Sequence, residues 1–201
     1  MTGAPRLVLA SASPRRASLL RQLGLRPEVV PAHVDESGLP GETPGDHVER
    51  LARTKAESVA RDAPGALVVA GDTVVVHDGR ILGKPESDEA AVSMLLSLAG
   101  AWHELLSGVA LAGSHGVLSG VGRARVRFRP CTEADARAYV ATGEPDDKAG
   151  AYGIQGLGAA LVDEIRGDYY TVVGLPIGLL LDLLGRAGWR YAFGSLEPVS
   201  S

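Results

Sequence analysis

The chain opens on an apolar run, Leu7-Val8-Leu9-Ala10, followed by the polar stretch Ser11-Ala12-Ser13-Pro14-Arg15-Arg16 and then by Leu19, Leu20 and Leu23 at helical spacing. That order predicts a strand, a tight turn and a helix, with Ser13 as N-cap, Pro14 at the first helical position and Gly24 closing the helix in a left-handed conformation. Further on, Pro44 to Ala60 reads as a helix. The β-rich runs Leu67 to Ala70 and Val74 to Val76 flank Gly71-Asp72-Thr73, and His77-Asp78-Gly79-Arg80 signals a hairpin turn into Ile81-Leu82. Ser87 caps a further helix, with Asp88 and Glu89 in its first turn, Val92, Leu95, Leu96 and Ala99 along one stripe, and Gly100 at its end. The segments His103 to Leu111 and Val121 to Arg129 predict two paired strands. Thr132 and Asp135 form a capping-box signature for a helix to about Ala141, ahead of a loop from Gly143 to Gly158. Ala159 to Ile165 and Tyr169 to Val173 predict another hairpin around Arg166-Gly167-Asp168, and Pro176 opens a last helix to about Leu184. The alternation predicts an α/β fold, a mixed sheet flanked by helices.

Composition narrows the class. A chain of 201 residues, 45% hydrophobic and 22% charged, reads as a single domain over residues 1–201 that buries roughly 70% of its unfolded surface. Its net charge of -4 argues against a general nucleic-acid binder. The Leu7 to Ala10 run is too brief for a signal peptide core, and Pro176 and Asp182 interrupt Leu175 to Leu184, so neither a membrane span nor export is expected. The lone Cys131 has no internal disulfide partner, and the expected location is the cytoplasm. Of the 20 Lys and Arg residues only three are lysine: Lys55, Lys84 and Lys148. In so Arg-biased a chain, lysine either marks a place that wants a compact ammonium or falls there by chance. Arg123, Arg125, Arg127 and Arg129 alternate with Ala124, Val126 and Phe128, which puts four guanidinium groups on one strand face. The face is expected to be solvated and paired with acids on a neighbouring strand.

Candidate chemistry begins at the first helix. Arg15 and Arg16 lie in its first turn, where free backbone NH groups and the macrodipole already supply positive potential, so two further cations imply an anion. Ser11, Ser13, Arg15 and Arg16 at a helix N-terminus make a polyphosphate cradle without a glycine-rich loop, or else both arginines simply point to solvent. Asp72 interrupts an apolar stretch, so its carboxylate calls for a metal, a cation, a catalytic task or a turn that bonds its own backbone. Asp35-Glu36 supplies adjacent loop acids suited to a hard divalent cation, or simply solvated. Pro85 fixes an extended backbone at Lys84, and Lys55 lies on the Pro44 to Ala60 helix; each is a phosphate ligand or a surface lysine. In Asp147 to Gly156, three glycines, Tyr152 and Gln155 suggest close backbone approach to a planar ligand, or a glycine-rich turn around a buried glutamine.

Taken in series, Ser11 to Leu20, Asp35-Glu36, Lys55, Gly71-Asp72-Thr73, Gly83-Lys84-Pro85, Trp102-His103-Glu104, Asp147 to Gly156 and Gly174-Leu175-Pro176 resemble the Maf family of nucleoside triphosphate pyrophosphatases, over most of the chain from Leu7 to about Leu184. The resemblance implies an elongated α/β fold akin to inosine triphosphate pyrophosphatases, a homodimer and a divalent metal cation (Mg or Mn). It also implies hydrolysis of a nucleoside triphosphate to the monophosphate and pyrophosphate. By the same carry-over Asp72 is the proton acceptor, and Arg15, Thr73 and Gln155 bear on base specificity; Ser11, Ser13, Arg15, Arg16, Lys55 and Lys84 are the candidate phosphate ligands read from the residues themselves. Glu36 and Asp72 are the metal candidates. The sequence looks like the dTTP/UTP branch, which makes a pyrimidine nucleoside triphosphate the expected substrate. A 7-methyl-GTP or purine pyrophosphatase, or a nucleotide-sensing regulator of septum formation without turnover, are the alternatives.

Overall fold

The computed structural model describes residues 4–199. In chain order the elements are β1 (Leu7–Leu9), α1 (Pro14–Gln22), β2 (Glu28–Val29), α2 (Pro44–Ala60), β3 (Leu67–His77), β4 (Arg80–Leu82), α3 (Asp88–Leu98), β5 (Trp102–Gly113), β6 (Gly116–Phe128), α4 (Glu133–Val140), β7 (Val162–Gly167), α5 (Tyr169–Val173), α6 (Ile177–Arg186), β8 (Trp189–Tyr191) and β9 (Leu196–Pro198). The main sheet is mixed, in the order β2-β1-β3-β5-β6-β7, with β4 paired to β3 and with β8 and β9 forming a separate two-stranded ribbon. β1 runs parallel to both β2 and β3, whereas β4 on β3 and β7 on β6 are antiparallel. The α/β expectation holds. The chain divides into two compact units: residues up to Asp72 with Ser107–Gly122 and Gly174 onward, and Thr73–Leu106 with Arg123–Val173.

In the first unit α2 packs on the sheet through Ala52, Ala56 and Val59 against Val8, Ala10, Val68, Ala70 and Ala110. The facing surfaces are nearly all alanine and valine, which brings the helix axis close to the strands. Gly108 on β5 completes this approach: a Cβ there would lie 2.1 Å from the Val48 carbonyl oxygen of α2. Thr43 caps α2 by accepting from Asp46 N, and Pro44 occupies its first turn, which sets the predicted boundary. At the other end of the chain, β8 and β9 dock on the C-terminus of α1. Tyr191 Oη donates to the Leu23 carbonyl at 2.9 Å, and a Cβ on Gly24 would lie 2.7 Å from Gly194 Cα. Gly24 itself has φ +74, as a helix-closing glycine should.

The second unit is built around Val75, Leu95, Leu98, Leu105, Phe128 and Tyr152. His103, Phe128 and Tyr152 meet edge to face in all three pairings, with ring centroids 4.7 to 5.4 Å apart. His103 Nε2 lies 2.8 Å from Tyr152 Oη, while its Nδ1 is buried without a partner among the described residues. Burial, with a smaller contribution from nearby His77, pushes the His103 pKa down to about 4. On the opposite sheet face Arg127 meets Asp163 at 2.6 Å and Glu164 at 3.3 Å, the expected pairing with acids of a neighbouring strand. The guanidinium groups of Arg125, Arg127 and Arg166 also lie 4.6 to 5.5 Å from the centroid of the Trp102 ring.

Several local expectations need correction, among them the strand predicted from Ala159, where Leu157–Leu161 is a 3-10 helix and the strand begins at Val162. Tyr169–Val173 is a helix where a strand was expected, because Asp168 accepts from Tyr170 N, Thr171 N and Thr171 Oγ1 and so starts a turn. Gly71-Asp72-Thr73 does not separate two strands; β3 runs through it without a break. In α3 the buried stripe takes Leu98, leaving Leu96 37% exposed.

Candidate active site

In the first unit, the turn after β1 carries Ser11, Ser13, Arg15 and Arg16. Ser13 occupies the N-cap position of α1, but its side chain makes no capping bond, contrary to its expected role. The turn is held by Ser11, whose Oγ accepts from Ser13 N at 3.2 Å and from Arg16 Nη1 at 3.1 Å. Arg16 Nε donates to the Gly174 carbonyl at 2.8 Å. Arg16 is therefore anchored both to its own turn and to a distant point of the chain. Gly71 leaves room for this side chain: a Cβ there would be 3.0 Å from the Gly108 carbonyl oxygen and 3.2 Å from Arg16 Nε. Desolvation is the largest influence on the Arg16 pKa and lowers it, joined by the like charge of Arg15 and opposed by Asp72 and Glu36. A guanidinium so placed stays charged, and it feels both carboxylates.

Those carboxylates converge on Lys55. Its Nζ lies 2.7 Å from Asp72 Oδ1 and 2.6 Å from Glu36 Oε1. Lys55 and Asp72 are buried, whereas the Glu36 side chain remains 60% exposed. Two of the three ammonium N–H donors are thus committed to carboxylates. The lysine belongs to the core-facing stripe of α2, with Val48, Leu51, Ala52, Ala56 and Val59, so it is not a surface residue. Its charge answers the question raised by Asp72: the strand tolerates a carboxylate because a cation meets it from the helix above. Asp35, the neighbour of Glu36, accepts from Ser37 N at 2.9 Å and so closes its own turn instead of joining Glu36.

Glu36 and Asp72 offer hard oxygen donors that meet at Lys55 Nζ. Among the described residues no group of three or more His, Cys, Asp or Glu side chains could hold a metal ion. Two carboxylates completed by phosphate oxygens and water suit Mg, which keeps much of its hydration, so the donor set fits such a cation.

Thr73, Lys84 and Gln155 belong to the second unit. Lys84 is exposed after β4, and Gly150 N donates to the Gly83 carbonyl at 3.0 Å, tying that segment to the loop that carries Gln155. Gln155 is exposed, not buried, and its amide makes no side-chain hydrogen bond to the described residues. Lys148 is spent within the loop, donating to the Glu144 carbonyl and to Asp147 Oδ1, each at 2.6 Å.

Tyr139 and Glu144 are the residues that sequence reasoning missed here. Glu144 Oε1 accepts from Tyr139 Oη at 2.8 Å and from Gly158 N at 3.1 Å, and Oε2 accepts from Leu157 N at 2.8 Å. Tyr139 Oη in turn accepts from Gly153 N at 3.1 Å. Two of the loop glycines, Gly156 and Gly158, are explained by these two side chains. A Cβ on Gly156 would fall 2.3 Å from Glu144 Oε2, and one on Gly158 would fall 2.6 Å from Tyr139 Oη. Burial pushes the Glu144 carboxyl up, but the bonds from Gly158, Leu157 and Tyr139 and the charge of Lys148 outweigh it and leave its pKa below the ordinary value.

A family model described as Maf-like protein matches residues 6–187. A dTTP/UTP pyrophosphatase of Geotalea uraniireducens (strain Rf4) is 49% identical over 184 residues, covering 90% of this chain and 95% of its own. One from Anaeromyxobacter dehalogenans (strain 2CP-C) is 52% identical over 190 residues, covering 92% and 96%. Another, from Moorella thermoacetica, is 51% identical over 185 residues, covering 91% and 95%.

Proposed function

The chain belongs to the Maf family, and from that premise we propose that it is a pyrophosphatase that hydrolyses dTTP and UTP to the nucleoside monophosphate and pyrophosphate. The observation that carries the reading is the charge cluster of the first unit, in which Lys55 bridges Glu36 and Asp72 and Arg16 lies within electrostatic reach of both acids. A cluster of two acids and two bases is nearly neutral by itself. Adding a triphosphate calls for more positive charge, and the α1 N-terminus with Arg15 supplies it.

Arg16, pinned by Ser11 and Gly174, presents its guanidinium in a fixed orientation to phosphate oxygens, while Ser13, whose hydroxyl caps nothing, offers a further donor. Lys55 keeps its third N–H for a phosphate oxygen and so links substrate to the two carboxylates. Asp72 takes the proton of the water that attacks the α phosphorus. Glu36 and Asp72 would hold a divalent cation (Mg or Mn), which would supply neutralising charge for the triphosphate and acidity for a bound water. Thr73, Lys84 and Gln155 enter through the family resemblance, Lys84 as a phosphate ligand and Thr73 and Gln155, with Arg15, as determinants of the base. A homodimer belongs to the same proposal and rests on the family alone; a cytoplasmic location is proposed with it on the composition of the chain.

Product analysis tests the reaction. With UTP as substrate, UMP and pyrophosphate are the expected initial products; UDP with orthophosphate would overturn the assignment.

A further inference from the structure

We propose that Glu144 and Tyr139 form a clamp that positions Gln155 for reading the nucleotide base, an inference that rests on the reading of Gln155 as a base contact. Gln155 is exposed and has no partner of its own among the described residues, so its direction is set by its backbone alone. That backbone is gripped on both sides at equal spacing. Two residues before it, Gly153 N donates to Tyr139 Oη, and two residues after it, Leu157 N donates to Glu144 Oε2. Tyr139 Oη then donates to Glu144 Oε1, joining the two grips into one chain of hydrogen bonds, and Gly158 N adds a second amide to the same carboxylate. Ile154, Gln155 and Gly156 are what remains between the grips.

The chemistry of the clamp requires a carboxylate. Three donors converge on two oxygen atoms, and only a group with acceptors at both ends meets them all. Glutamine at position 144 has the same size but turns one end into a donor, which then faces an N–H or the tyrosine hydroxyl. The close fit of the glycines has the same origin, since a side chain at Gly156 would occupy the place of Glu144 Oε2. The clamp grips the loop through backbone amides on either side of Gln155, so it acts through Gln155. Tyr139 and Glu144 are positioning residues.

The test compares kcat/KM for UTP, dTTP, CTP and GTP among wild type, E144Q, Y139F, Q155A and the double variant E144Q/Q155A. A displacement of about 1 Å in a contacting group costs up to about 10²-fold, so E144Q and Y139F are each expected to narrow the preference for UTP over CTP and GTP by about tenfold or more. In the Q155A background, E144Q should narrow it no further, because the residue it positions is gone. A purely structural role would lower all four substrates by one factor and would persist in the Q155A background, which overturns the clamp. If Q155A collapses the preference while E144Q and Y139F leave it intact, the clamp alone fails. If Q155A leaves the preference unchanged, the base-reading assignment fails and takes the clamp with it. Should E144Q not fold, Y139F decides, since it removes a single hydroxyl and keeps the packed ring.

Discussion

Lys55 reaches across from α2 to Asp72 on β3, with 2.7 Å between Nζ and Oδ1, and it holds the exposed Glu36 at 2.6 Å with the same ammonium. Breaking a buried ion pair from one side leaves an uncompensated charge, at a cost of about 3–5 kcal/mol. K55M is therefore expected to destabilise by about that much, because it strands Asp72. D72N costs less, since Lys55 keeps Glu36, and E36Q least, since its group is largely in water. Urea unfolding of the three variants checks this order, and a K55M protein as stable as E36Q contradicts the pairing.

D72N also separates chemistry from binding. It preserves shape and removes the proposed proton acceptor, so kcat for UTP should fall about 10² to 10⁴-fold while triphosphate binding stays measurable. Near wild-type turnover would require a different base.

Arg16 is expected to resist its conservative replacement. Its Nε and Nη1 satisfy the Gly174 carbonyl and Ser11 Oγ together, and an ammonium cannot span both while facing phosphate. R16K should thus lose kcat/KM for UTP nearly as severely as R16A, by roughly ten- to a hundredfold for a charged hydrogen bond worth about 1.5–3 kcal/mol. Uridine binding, measured in parallel, should hardly change; equal weakening of nucleoside and triphosphate speaks against the cradle.

Acid lability should trace to His103. Its pKa is 6.5 in the reference state and about 4 in the fold, so between those values the unfolded chain binds a proton that the native chain refuses. Stability from this group is complete above about pH 6.5 and falls as pH drops towards 4, by about 3 kcal/mol in all. Denaturation series from pH 7 to 4 should show that slope in wild type and a flatter one in H103Q. An identical slope in both would assign the lability elsewhere.

The sequence was legible where a side chain acts on its own neighbourhood. Thr43, Pro44 and Asp46 fix the start of α2 within three residues of each other, and Thr132 with Asp135 does the same for α4, with both capping-box bonds formed. It was less legible where a distant partner decides. Tyr-Tyr-Thr-Val-Val has strand-forming composition, yet Asp168 turns it into a helix. Asp72 looked like an interruption because its cation, Lys55, lies 17 positions away on another element. A signal for that pairing did exist: residues 48, 51, 52, 55, 56 and 59 share one helical stripe, and a lysine in the midst of such a stripe asks for a buried partner. Glu144 carried no comparable signal, since an acid beside proline in a glycine-rich loop reads as solvated until the loop is folded around it.

The family match ends at residue 187, yet the ribbon that follows is fastened to the far end of α1 through Tyr191 and Gly194. A helix of nine residues is a rod about 14 Å long that does not bend easily, so a load at its tail is felt at its head. The ribbon over residues 189–198 is then a foundation stone for the proposed phosphate cradle and not an appendage to be trimmed. A boundary drawn by likeness to relatives would cut the chain on the wrong side of its own support.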